Sequence, residues 1–181
     1  MENIIEIPEP KLSRFLFSDT RMAWLWLVIR LYLGYVWINA GYAKFTNPAW
    51  VGDSAGTAIK GFFTGALAKA TGAHPQVSSW YASFITDFAM PNAVLFSYVI
   101  TFGEILVGLG LIVGLFTGIA AFFGSVMNFN FLLAGTVGPS PILLLLQLFL
   151  ILAWRNAGWL GLDRYALPKL GVPWQKGSVF K

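Results

Sequence analysis

Arg30 and Glu104 each interrupt an otherwise apolar run of about twenty residues, the length of a membrane-crossing helix. An ionised group in such a run costs at least about 2.5–3.5 kcal/mol on insertion scales, so it is expected to be paired or to serve a site. Arg is well shaped to hold an oxyanion through two parallel hydrogen bonds, and a carboxyl group can take and release protons. At helical spacing Arg30 shares a face with Gly34, Trp37, Gly41 and Lys44, and Glu104 shares one with Ser97, Thr101 and Gly108. Arg30 lies about eight residues into its run and Glu104 about eight to ten into the next, on the order of 12 Å and 12–15 Å from opposite boundaries. Across a core about 30 Å thick the two depths nearly coincide, and an Arg30–Glu104 pair facing the interior is expected.

Other polar residues are weaker candidates. Lys44 ends the face that carries Arg30 and could attract anions at the mouth; Lys60 and Lys69 are more simply surface residues. Asn128 and Asn130 point about 200° apart on a helix, so they cannot face one partner, and Gln147 sits in the last apolar run. Such groups commonly serve as interhelical hydrogen-bonding glue. The single His, His74, precedes a proline in a polar stretch and reads as a solvated loop residue, with proton carriage as the sharper alternative. There is no Cys. No disulfide, Fe–S cluster, thiolate zinc site or c-type haem is expected in the chain, and no metal. Gly110, Gly114 and Gly118 form a small-residue stripe that reads as close packing.

The elements that must position these residues follow from composition. Of 181 residues 57% are apolar and 11% charged, where a soluble domain carries about 25% charged residues. That excludes a water-soluble globule and a disordered chain. The expected fold class is an all-α integral membrane protein: four antiparallel transmembrane helices in a bundle, near residues 22–43, 93–116, 117–134 and 139–154. The expected organisation is an N-terminal segment 1–21, a transmembrane domain 22–154 and a tail 155–181. Within the domain, loop 45–92 is unusually long and carries two weak helical patterns, 58–70 and 77–90, read as short interfacial helices.

No signal peptide is expected at the N-terminus. Lys11, Arg14, Arg21, Arg155, Arg164, Lys169, Lys176 and Lys181 flank the bundle at its termini, against Lys44, Lys60 and Lys69 in and beside the loop. The positive-inside rule puts both termini in the cytoplasm, the loop outside and the protein in the inner (cytoplasmic) membrane. The net charge of +4 comes from scattered bases, so nucleic acid is not an expected partner.

Arg30-Leu31-Tyr32-Leu33-Gly34 followed by Ala40-Gly41-Tyr42-Ala43-Lys44-Phe45 resembles the first-span signature of the DoxX/DoxD membrane family. Phe102-Gly103-Glu104-Ile105-Leu106-Val107-Gly108, Gly114-Leu115-Phe116-Thr117-Gly118, Asn128-Phe129-Asn130-Phe131 and Ala157-Gly158-Trp159-Leu160-Gly161-Leu162-Asp163 fit its later segments. The likeness covers most of the chain from Arg21 to Tyr165 and rests on the order and spacing of the motifs. Length and the long first loop look most like the DoxD branch, the membrane subunit of thiosulfate:quinone oxidoreductase.

That resemblance implies the joining of two thiosulfates as tetrathionate while a membrane quinone is reduced. It also implies a DoxA-like second subunit. The expected site then has Arg30 and Glu104 as catalytic residues. Lys44, Trp37, Tyr42 and Asn128 bind substrate, the sulfur anion meeting Arg30 or Lys44 and the quinone ring stacking on Trp37 or Tyr42. Quinone is the diffusible acceptor. The expected partners are the lipid bilayer, quinone, the second subunit or a larger respiratory or photosynthetic complex, and further copies of the chain. Two alternatives stay open: a non-catalytic membrane scaffold of such a complex, and a small transporter or proton channel lined by Arg30 and Glu104.

Overall fold

The computed structural model of the chain describes residues 9–171. The helices are α1 (Lys11–Ser18), α2 (Ala23–Phe45), α3 (Thr57–Ala68), α4 (Ser79–Phe84), α5 (Ala93–Val113), α6 (Thr117–Leu133), α7 (Ser140–Leu152) and α8 (Asp163–Lys169). A 3-10 turn at Thr20–Met22 leads into α2 and a π-helical turn at Ile85–Ala89 follows α4; no strand occurs among the described residues. Lys176 and Lys181, used above to orient the chain, lie outside the described residues, as do the ends of the expected terminal segments.

α2 packs along α5, α5 on α6, α6 on α7, and α7 returns to α2. Glycines fix how close and in which register these helices meet. Gly34 of α2 lies against Gly108 and Ile112 of α5, and Gly41 against Ile105, so α2 and α5 are antiparallel. Gly118 of α6 faces Trp154, just beyond α7, and Gly124 faces Gln147, so α6 and α7 are antiparallel too. The short links at Gly114–Phe116 and Gly135–Pro139 leave these neighbours no other arrangement.

The residues 20–45 and α5 are long and apolar enough to cross a membrane; α6 and α7, at 17 and 13 residues, are apolar but shorter. At 1.5 Å per residue α7 is about 20 Å long, against a hydrocarbon core of about 30 Å. The fourth apolar run, expected through Trp154, therefore leaves helical form after Leu152. The Asn156 amide fixes the turns that follow by donating to the carbonyls of Leu16 at 3.0 Å and Asp19 at 2.8 Å. Leu106, Phe122, Phe123 and Leu145 are each more than half exposed. An outer face this apolar is suited to lipid rather than water.

Two cores result. Trp26, Leu33, Trp37, Leu111 and Leu150 fill the interior between the long helices. Ile59, Phe63, Tyr81 and Ile85 of the 45–92 segment pack with Ala93 and Ala134 over one end. The Tyr81 hydroxyl donates to the Asn130 carbonyl at 3.1 Å, and Lys69 Nζ donates to the Gly135 carbonyl at 2.8 Å. These bonds seat the segment as a cap on α5 and α6. α1 and α8, neither of which the apolar periodicity anticipates, lie at the opposite end, where Arg155 pairs with Glu9 at 2.8 Å.

Candidate functional site

At the capped end, Lys44 Nζ donates to both carboxylate oxygens of Glu104, at 2.9 and 2.8 Å. The pair is uneven: the Glu104 side chain keeps 2% of its surface exposed and Lys44 keeps 20%. Gly41 makes the approach possible. A Cβ there would lie 2.9 Å from the Ile105 amide nitrogen and 3.2 Å from Glu104 Cβ, so the α2 backbone rests directly on α5 beside the carboxylate. The Trp50 ring lies 5.2 Å from Lys44 Nζ, within cation–π range. The Trp50 carbonyl accepts from Ser97 Oγ at 2.6 Å, which ties the segment after α2 to the face of α5 that carries Glu104. Thr101, on the same face, turns its hydroxyl back to the Ser97 carbonyl at 2.8 Å.

Arg30 does not meet Glu104. The two helices are staggered, so that Gly41 rather than Arg30 stands level with Glu104, and Gly34 with residues 108–112. Arg30 lies eleven positions before Gly41, on the order of 16 Å away along α2. Depth counted inward from the end of each apolar run assumes level helices, and the first turns of α2 instead run past the end of α5.

There Arg30 is enclosed by glycines. A Cβ at Gly114 or at Gly161 would collide with its Nη1. Nη2 donates to the Leu160 carbonyl at 2.9 Å, while Nε and Nη1 have no hydrogen-bond partner among the described residues. The acid whose field acts on Arg30 is Asp163, which is fully buried. Its carboxylate accepts from the amides of Phe116 at 2.5 Å and Thr117 at 2.9 Å, capping the N-terminus of α6. Phe116 has φ +50, a left-handed conformation that a non-glycine residue holds only under outside constraint. Amides at Leu162 and Asp163 also donate to the carbonyls of Val113 (3.2 Å) and Gly114 (2.7 Å). The turn between α5 and α6 is thus clamped by the chain that follows α7. Outside the spans at this end, hydrogen bonds from Arg21 hold the Asp19 carboxyl below its usual range.

The remaining expected site residues are dispersed. Trp37 is buried with its indole Nε1 2.6 Å from the Gln147 amide, which also meets Asn128 at 2.7 Å. An indole N–H only donates, so the Gln147 oxygen faces it. Trp37 and Asn128 are therefore joined to each other through α7 and not to Lys44. Tyr42 is exposed on the outer surface of α2, and His74 is exposed in the cap. An apolar groove of about 660 Å³ between α5 and α6 is lined by Gly103, Leu106, Gly110, Ile119 and Phe123. A second, about 490 Å³, adjoins it at Phe116 beside α8.

Sequence reasoning missed the roles of Trp50 and Asp163. Trp50 lies in a turn with no periodicity. Asp163 had a legible signal, a lone acid after the glycines at 158 and 161 and just past an apolar run, the composition of a folded-back cap.

No curated protein and no solved structure matches the chain. A family model described as DoxX matches residues 25–136, more than half of the chain. That stretch runs from the start of α2 to the end of α6 and contains Arg30, Lys44 and Glu104. With its apolar helices and lipid-suited outer face, the chain belongs to the DoxX family of membrane proteins.

Proposed function

We propose that this chain is the membrane subunit of an oxidoreductase that couples thiosulfate oxidation to quinone reduction, with Lys44 and Glu104 as its chemical centre. The observation that carries the reading is the uneven ion pair: a lysine that keeps a fifth of its side chain exposed, joined to a carboxylate sealed among helices. Intramembrane ionisable pairs commonly mark substrate or proton paths. In the proposed reaction two thiosulfate anions form one S–S bond and give tetrathionate, releasing two electrons. Quinone takes those electrons together with two protons and becomes quinol. Lys44 meets the sulfur anion and Glu104 hands on protons, while Tyr42, about 200° round α2 from Lys44, faces outward and lies apart from this centre.

Arg30 acts in this reading as a positioning residue, because its guanidinium is walled in by Gly114 and Gly161. Trp37, Gln147 and Asn128 join α2, α6 and α7 within the interior. The long helices form a four-crossing bundle in the cytoplasmic membrane, with both termini inside and the cap outside; a DoxA-like subunit completes the enzyme. Support for this orientation comes from the basic residues Lys11, Arg14, Arg21, Arg155, Arg164 and Lys169 near the end opposite the cap.

A second reading, a non-catalytic subunit of a larger membrane complex, draws on the groove of about 660 Å³ between α5 and α6, a shape that a partner helix would fill. The deciding experiment supplies thiosulfate and a short-chain quinone to the protein in lipid, together with membrane extract as a source of partners. Tetrathionate and quinol formed in equal amounts support the enzyme. No turnover, with the protein recovered in a stoichiometric complex, supports the scaffold and sinks the thiosulfate reading.

A further inference from the structure

We propose that an oxyanion arriving at Lys44 displaces Glu104 from the ammonium group, and that the displaced carboxylate takes up one proton, so that the site loads anion and proton together. The inference rests on Lys44 being the anion-meeting residue of the reading above and adds the coupling. Its ground is the asymmetry of the pair. Lys44 is the partner with exposed surface, and the other contacts of its ammonium are weak: the Ala40 carbonyl at 3.5 Å, the limit of a hydrogen bond, and the Trp50 ring at 5.2 Å. The carboxylate is the enclosed partner, and both its oxygens depend on the same nitrogen. An anion that comes to the exposed side of Lys44 therefore meets the lysine before the acid, and once it holds the ammonium no other cation among the described residues compensates Glu104.

Among the described residues the surroundings offer no substitute. α6 and α7 contain no charged residue. On α5 the nearby hydroxyls of Ser97 and Thr101 donate to carbonyls. On α2, Arg30 lies far along the helix and donates to Leu160. Asp53 in the covering segment and Lys60 on α3 are exposed, and Lys44 is the charged group that acts on Glu104. A carboxylate without a counter-ion in an apolar interior is strongly disfavoured against its protonated form. Proton uptake keeps the loaded site one unit less negative and places a proton beside the substrate whose oxidation releases the electrons.

The coupling has a signed consequence. The loaded state holds one more proton than the empty state, so anion binding strengthens as pH falls, by about tenfold per pH unit. The test is calorimetric titration of thiosulfate, without quinone, into the purified protein at a series of pH values, in buffers of different ionisation enthalpy. The expected result is one proton taken up per thiosulfate and the tenfold slope. Glu104→Gln is expected to bind thiosulfate without proton uptake or slope, and Lys44→Gln to lose binding. Lys44→Arg, which keeps the cation, is expected to retain both binding and uptake and so controls for misfolding.

Thiosulfate binding without proton uptake, or an unchanged slope in Glu104→Gln, would overturn the coupling while leaving the enzymatic reading intact. Sulfate binding with proton uptake in a protein that ignores thiosulfate would uphold the coupling and overturn the thiosulfate reading. Binding of neither anion would overturn both.

Discussion

Arg30 and Lys44 lie on one face of α2, and what each one meets across the interface separates their roles. Lys44 finds a carboxylate and keeps a fifth of its side chain exposed; Arg30 finds glycines, one carbonyl and the field of a carboxylate already bound to two amides. The shared face was legible in the sequence, because the spacing from Arg30 through Gly34, Trp37 and Gly41 to Lys44 follows the helical period. The partner was not legible, because periodicity reports which face a residue occupies and says nothing of the axial offset between two helices. Gly114 marks the difference. It holds φ +68 and its missing side chain leaves the space occupied by Arg30 Nη1. Gly114→Ala is expected to destabilise the protein by about 2–4 kcal/mol, combining a left-handed non-glycine residue with displacement of a buried guanidinium. Unfolding followed in mixed detergent micelles checks this. A change within about 0.5 kcal/mol, the usual range of surface substitutions, would mean that Arg30 is not held as described.

At the level of elements, the helices α2, α5 and α6 fall near the apolar runs that announce them, and their ends follow glycines such as Gly114 and Gly135. α7 is shorter than its run, because the polar anchoring of Asn156 turns the chain earlier than hydropathy alone would. The helical patterns in the 45–92 segment were visible, and α3 and α4 with its π turn occupy them; their seating on α5 and α6 was not, since it depends on long-range bonds from Tyr81 and Lys69. Tyr81 gives that seating a pH dependence. Burial pushes its phenol up to about 12, whereas an unfolded tyrosine ionises near 10. Between those values the unfolded chain has released the proton and the folded cap still holds it, so stability falls as pH rises through this window. Alkaline unfolding monitored by tyrosinate absorbance is expected to show it, and Tyr81→Phe to remove that part of the pH dependence. A wild type and a Tyr81→Phe variant with identical alkaline profiles would contradict the assignment.

The whole molecule has a polar centre at the capped end and a clamp at the other, separated by an interior of Trp37, Asn128 and Gln147. Composition alone, rich in apolar residues and poor in charge, points to a membrane protein, and family membership agrees with it. The orientation is a proposal open to a clean experiment, since the chain lacks Cys. A single cysteine replacing His74 in the cap is expected to react in intact cells with a membrane-impermeant maleimide, and one replacing Tyr165 on α8 to react only after the membrane is opened. The reverse pattern would invert the topology.

On the proposed function Lys44, and not Arg30, is the cation that performs the chemistry. The most direct test measures quinone turnover with thiosulfate and thermal stability together, in Lys44→Gln and Arg30→Gln. Lys44→Gln is expected to lose turnover by at least about 100-fold, the scale on which a positioned catalytic group contributes, well beyond the loss of folded protein that follows from leaving Glu104 without its partner. Arg30→Gln is expected to lower the unfolding temperature, with turnover following only the fraction that stays folded. A stable Arg30→Gln protein without turnover, beside an active Lys44→Gln, would contradict it.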